Sequence, residues 1–308
     1  MEVKKINTDK LLNINHTNRP NDFDEFVGQE HIKGIVKTAI DSGKKRKHIG
    51  HILFSGPSGF GKTTMANIIS KQGQVNIKAV TGYAITKPSE IISILNTLES
   101  DILFIDEIHR LKPNIEEVLY IAMEDFVIDM VMPENVRIPI NPFTLIGATT
   151  KSESLSQPIK NRFVYHFHFM EYTPSEKETI LKKYLNTYEI KTSNEIIKKI
   201  SEKVGAVPRE MHNLCIKIRD FVVTTSQEKI LTDILREKFL KHSQIEEGGM
   251  TPLHAKYLEI LENADRPMGV KAIAVQLINE KAVEEDIEPL LLKLGKIEKT
   301  ATGRIRIE

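Results

Sequence analysis

Residues 56–63 read Gly-Pro-Ser-Gly-Phe-Gly-Lys-Thr and fit the pattern G-x-x-x-x-G-K-[ST] without a mismatch. No other stretch constrains the fold as tightly. Glycine-rich backbone can curl so that successive N–H groups face one point. A helix that starts on such a loop aims its positive end at the same place. The flanks agree: His51-Ile52-Leu53-Phe54-Ser55 is an apolar run that reads as a buried strand, and Thr64 to Lys71 continues as a helix. The pattern predicts a phosphate cradle for ATP, shaped by Gly59 and Gly61. Lys62 reaches the β- and γ-phosphates, and the Thr63 hydroxyl is a ligand for Mg2+.

Splitting a phosphoanhydride needs a second acidic group. Asp101-Ile102-Leu103-Phe104-Ile105 reads as another buried strand, and Asp106 and Glu107 follow it. An aspartate at a strand end can hold Mg2+, and the neighbouring glutamate is placed to orient or deprotonate water. Phe143-Thr144-Leu145-Ile146-Gly147-Ala148 is a third such strand. It ends at Thr149 and Thr150, which are candidates for bonding the γ-phosphate or the water. His109 reads as a structural or coupling residue, since no second histidine sits at metal-ligand spacing. Arg162 and Arg209 are candidate phosphate-sensing arginines, with ordinary surface arginines as the alternative.

Short apolar runs separated by helices predict an α/β fold with a parallel sheet covered on both faces. The 308 residues suit two or three domains. Residues 1–18 are polar and read as a flexible arm, 19–172 as the phosphate-binding core, and 173–243 as a small all-helical domain. Residues 250–308 carry three helical patterns and two alternating segments around Ala301-Thr302-Gly303, the pattern of a winged helix-turn-helix. No run of uncharged apolar residues is long enough to span a membrane, and no secretory signal opens the chain. With a lone cysteine, Cys215, these features make the cytoplasm the expected compartment.

These residues resemble an AAA+ ATPase and, within that class, the RuvB family of bacterial Holliday-junction branch-migration motors. The similarity rests on the phosphate loop, on Arg19-Pro20 with Phe26-Val27-Gly28-Gln29, on Leu103 to Leu111, and on Ala122-Met123-Glu124-Asp125-Phe126. It continues through Phe143 to Thr150, Pro267-Met268-Gly269-Val270 and Glu288-Pro289-Leu290. The resemblance implies that Thr64 joins Lys62 and Thr63 at the nucleotide, that Asn18, Arg19 and Tyr172 line the adenine side, and that Glu124, Asp125 and Phe126 lie near the nucleotide. It implies that Arg162 is a finger reaching a neighbouring subunit and Arg209 a sensor on the helical lid. It further implies a homo-hexamer on double-stranded DNA at four-way junctions, docked on RuvA through a hairpin at 128–140 and working with RuvC indirectly. Without the family, the apolar residues of that hairpin read equally as core. The hairpin is short for the family, Lys160 stands where relatives often carry arginine, and the wing is less rich in arginine.

Charge bears on the DNA contact. The net charge is +1, so any contact with nucleic acid is local. The third helix of the last segment carries Glu284, Glu285, Asp286 and Glu288, which repel phosphate, whereas Lys293, Lys296, Lys299, Arg304 and Arg306 follow. The wing, through Lys299 and Arg304, is therefore expected to meet the backbone. The alternative is another AAA+ ATPase, clamp-loader-like or protein-remodelling. A DEAH-type helicase, suggested by Asp106 to His109, would need a second sheet that 174–308 does not show.

Overall fold

The computed structural model describes residues 19–46, 48–131, 135–226, 228–243, 247–264 and 266–307. Asn18, the expected arm and Met132 lie outside the described residues. The chain divides into two compact units, Met1–Glu176 with Val207–Arg209, and Lys177–Ala206 with Glu210–Glu308.

The first unit is built on β1 (Ile52–Ser55), β2 (Ile77–Thr81), β3 (Ile102–Asp106), β4 (Val127–Val131), β5 (Asn135–Pro139), β6 (Thr144–Thr149) and β7 (Tyr165–His168). Five of them form one sheet in the order β2-β3-β6-β1-β7, and every pairing in it is parallel. The central strands β1, β3 and β6 are the three apolar runs read from the sequence; β3 and β6 are shifted by a residue toward the C-terminus, and β1 starts one residue later and ends at the same Ser55. Leu53, Leu103, Ile105 and Leu145 face one core cluster with Ile91, Ile115 and Leu119, contributed by the helices Pro88–Leu95 and Pro113–Asp125. By alternation Phe54 and Phe104 face the other side, where the helix Lys62–Gly73 packs on β3 and β6. Both phenylalanines are fully buried, and each contributes roughly 1.5–3 kcal/mol.

β2 and β7 were not anticipated. They are the sheet's edges, and Ile-Lys-Ala-Val-Thr and Tyr-His-Phe-His keep several residues in solvent. An edge strand carries no continuous apolar run to read. β4 and β5 form a separate antiparallel ribbon that pairs Ile128 with Ile138. Ile128 is in the core, while Val136 is exposed.

In register, Ser55 lies beside Thr149 and His168, and Thr81 beside Asp106. The C-terminal ends of the strands thus share one edge of the sheet. Their N-terminal ends share the opposite edge, about 13 Å away for strands of four residues.

In the second unit the Ser193 hydroxyl accepts the Ile196 N–H at 3.3 Å and starts the helix Asn194–Glu202. The helices Pro208–Thr225 and Asp233–Ser243 follow. Cys215 is buried there, its thiol pushed up to about 12 by desolvation. The C-terminal segment has the helices Pro252–Glu262 and Val270–Gln276 and a third rod, Glu280–Ala282, a π turn Val283–Ile287, and Glu288–Lys293. It ends in the hairpin β8 (Ile297–Thr300) and β9 (Gly303–Arg306). Tyr257, Ile273, Val283, Leu291 and Ile297 form its core, so the winged helix-turn-helix is present. Among the described residues no helix is long and apolar enough to cross a membrane.

Candidate active site

The phosphate loop leaves β1 at the C-terminal edge of the sheet. Gly61 caps the helix Lys62–Gly73 at φ 102°, and a Cβ there would lie 2.8 Å from the Phe26 ring. Only glycine tolerates both. No side chain caps this helix, so its first-turn N–H groups remain for an anion. The Lys62 ammonium donates to the carbonyls of Gly56 at 2.7 Å and Pro57 at 2.9 Å. Burial lowers its pKa, and Glu107 and Asp106 counteract that shift. Thr63 and Thr64 stand half-buried in the first turn.

Asp106 is the last residue of β3, and its Oδ1 accepts the Glu107 N–H at 3.0 Å. Thr63 and Asp106 offer only hard oxygen donors, the set that Mg2+ prefers. Glu107 adopts a left-handed conformation, φ 48° and ψ 48°, an uncommon one for a residue with a Cβ. Its carbonyl accepts the Arg110 N–H at 2.9 Å, and a Cβ on Gly82 would approach that carbonyl to 2.5 Å. Glu107 can turn this way because residue 82 has no side chain. No sequence motif signals this approach, because it joins the ends of β2 and β3.

The Glu107 carboxylate is held as well. Its Oε2 accepts the Thr150 hydroxyl at 3.0 Å and the Thr150 N–H at 3.3 Å. His109 Nδ1 lies 3.1 Å from the same oxygen and 2.9 Å from the buried hydroxyl of Thr149. Thr149 also accepts the Lys151 N–H at 3.0 Å. Burial lowers the His109 pKa, against the opposing pull of the Glu107 carboxylate. His109 therefore couples Glu107 to β6, as its sequence reading suggested.

Arg209 donates to the Ser58 hydroxyl on the phosphate loop at 3.2 Å. The Tyr172 hydroxyl donates to the Phe60 carbonyl at 3.0 Å, which sets its ring beside the loop. Arg19 is exposed.

Glu124, Asp125 and Phe126 stand apart from the phosphate loop of their own subunit. They end the helix Pro113–Asp125, whose Met123 carbonyl bonds His51 at the start of β1. They therefore lie at the N-terminal edge of the sheet, away from their own phosphate loop. Phe126 packs on His48 and Phe143, so its ring is a core element. Arg162 shares this edge, just before β7, where it pairs with Glu124 and lies 6.0 Å from the centre of the Tyr120 ring.

The wing requires a correction. Glu288 is fully buried and does not face solvent. Arg304 donates to it from Nε at 2.8 Å and to Glu284 at 3.1 Å. Lys299 pairs with it at 2.6 Å, and Arg306 pairs with Glu262. Three of the expected wing cations thus pair with carboxylates of the same domain: Lys299 and Arg304 with Glu288, and Arg306 with Glu262.

A parallel sheet with a phosphate loop, an acidic strand end and a polar third strand end defines a P-loop ATPase, here carrying a C-terminal winged helix. Comparison with known proteins narrows the class. Residues 18–169 match the Holliday junction DNA helicase RuvB P-loop domain, and residues 247–306 match the RuvB C-terminal winged helix domain. The Holliday junction branch migration complex subunit RuvB of Nitratiruptor sp. is 40% identical over 99% of this chain and 93% of its own length. That of Ehrlichia ruminantium is 39% identical over 93% and 89%. The solved Thermotoga maritima RuvB Holliday junction branch migration motor superposes with a TM-score of 0.81 at 33% identity, covering 94% of this chain and 96% of that one. The chain belongs to the RuvB family.

Proposed function

We propose that this chain is the ATP-hydrolysing motor of Holliday-junction branch migration, working as a homo-hexameric ring on double-stranded DNA. The observation that carries the ring is the separation of Arg162 from Lys62 and Glu107. Arg162 and Glu124 occupy the N-terminal edge of the sheet and the phosphate loop the C-terminal edge. An arginine so placed serves a nucleotide held by the next subunit, and Glu124 and Asp125 would approach that same nucleotide.

Within one subunit, Lys62 and the loop amides bind the phosphates, Tyr172 and Arg19 flank the base, and Arg209 senses the phosphates beside Ser58. Thr63 and Asp106 would hold Mg2+, which neutralises phosphate charge. The Glu107 carboxylate accepts the proton of the attacking water, and Thr150 and His109 aim it. In this reading 19–172 is the ATPase core, 173–243 a lid and 250–308 the DNA-binding domain. The ribbon at 128–140 docks on RuvA through its exposed outer part, since Ile128 is held in the core. RuvC is met indirectly, and the compartment is the cytoplasm.

The test is electron microscopy of the chain with a non-hydrolysable ATP analogue and linear duplex, paired with ATPase assays. Six-membered rings threaded by DNA and duplex-stimulated hydrolysis are expected. A chain that hydrolyses ATP only as a monomer, indifferent to duplex, would refute the proposal.

A further inference from the structure

Gln29 is a buried amide, 6% exposed, that the phosphate chemistry does not use. It stands immediately before the helix Glu30–Arg46 in a left-handed conformation, φ 55°, uncommon for a residue with a Cβ. Its side chain reaches across 141 residues of sequence to the segment that follows β7. Nε2 donates to the Met170 carbonyl at 2.6 Å, and Oε1 accepts the Met170 N–H at 3.0 Å. One amide thus pairs with both polar backbone groups of one residue, as a neighbouring strand would. The two segments it joins flank the phosphate loop. On one side the Phe26 ring lies against Gly61. On the other, the Phe169 N–H donates to the Ser55 carbonyl at 2.8 Å, and Tyr172 bonds the Phe60 carbonyl. Gly28 passes so close to Tyr172 that a Cβ on it would lie 3.0 Å from the ring.

We propose that Gln29 is a positioning residue for the nucleobase: it sets the spacing between segments 26–29 and 170–172, and with it the width of the slot in which the base lies. The proposal rests on the reading of this site as an ATP site. The phosphates are gripped by loop amides, Lys62 and a helix N-terminus, groups that lie outside the Gln29–Met170 pair. A base instead offers flat apolar faces to its walls. A gap of about 0.5–1 Å on one face forfeits about a quarter to a half of each contact there. The uncommon backbone at Gln29 is held because both amide atoms are satisfied across the slot.

The test is displacement of a fluorescent ADP analogue from the full chain by ADP and by inorganic pyrophosphate, which has the phosphates and no base. Gln29→Glu keeps the length and the acceptor but loses the donor. At about pH 8 it should bind ADP about tenfold more weakly, the worth of one buried hydrogen bond, and pyrophosphate within about twofold of wild type. A protonated carboxyl has both a donor and an acceptor. Burial raises its pKa above the ordinary range, so ADP affinity relative to wild type should recover at about pH 5.5. Gln29→Asn keeps the amide but is a methylene short, and should show the ADP loss without the recovery. Circular dichroism checks folding, and if Gln29→Glu does not fold, Gln29→Asn decides. Equal losses for ADP and pyrophosphate would make Gln29 a brace of the whole loop and overturn the proposal. Wild-type ADP affinity in either variant, no recovery of Gln29→Glu in acid, or a wild type that holds ADP no more tightly than pyrophosphate would overturn it too. A wild-type chain that binds neither compound would sink the ATP-site reading itself, and this proposal with it.

Discussion

Acid should destabilise the first unit through one histidine. His51 is 4% exposed. Its Nε2–H donates to the Met123 carbonyl at 3.1 Å, and its Nδ1 accepts the Leu145 N–H at 2.8 Å. Both ring nitrogens are thus used by the neutral form, and a second proton would break the bond to Leu145. Desolvation lowers the pKa from 6.5 to about 4, opposed by the Met123 bond and aided by His48. Above pH 6.5 the ring is neutral folded and unfolded, and its effect does not vary with pH. Between pH 6.5 and 4 the unfolded chain takes a proton that the fold refuses, so stability falls as pH falls. About two and a half units, at about 1.4 kcal/mol each, come to about 3 kcal/mol. Burial also lowers the His48 pKa, so the effect is read as a difference. Urea unfolding followed by circular dichroism from pH 7.5 to 4 should give wild type a steeper loss than His51→Gln, which keeps a donor and an acceptor. Parallel stability–pH curves for the two proteins would refute the reasoning.

The catalytic assignments can be separated from binding. Glu107→Gln keeps an oxygen that can accept from Thr150 but is no longer basic, so ATP should bind normally while turnover drops by about 10²–10⁴, read by nucleotide titration against steady-state hydrolysis. Gly82→Ala puts a Cβ 2.5 Å from the Glu107 carbonyl. It should cost about 1–3 kcal/mol of stability in urea melts and lower kcat at least tenfold with KM for ATP little changed; wild-type kcat would remove Gly82 from any part in placing Glu107.

What the sequence made legible follows from where each residue lies in the sheet. β1, β3 and β6 are buried on both faces, so their apolar runs announce them. β2 and β7 lie at the edges, and their mixed sequences look like loops. Lys62 and Thr63 at a helix start, and Asp106 and Thr150 at or just past strand ends, could be singled out because such positions are local properties of the chain. Gly82 could not, because its role exists only where two chain-distant turns touch. The acidic helix and basic wing went astray for an electrostatic reason. Charges counted along a chain are treated as solvated and as acting on whatever lies outside, so Glu288 read as repulsion and Arg304 as attraction. Burial places that carboxylate inside the domain, where it pairs with Arg304 instead of facing outward. The same argument covers Arg162, whose partner Glu124 is exposed. Solvent weakens that pair, which suits the finger role proposed for Arg162. Burial of the carboxylate is what separates the two pairs: Glu288 is fully buried, and Glu124 is exposed.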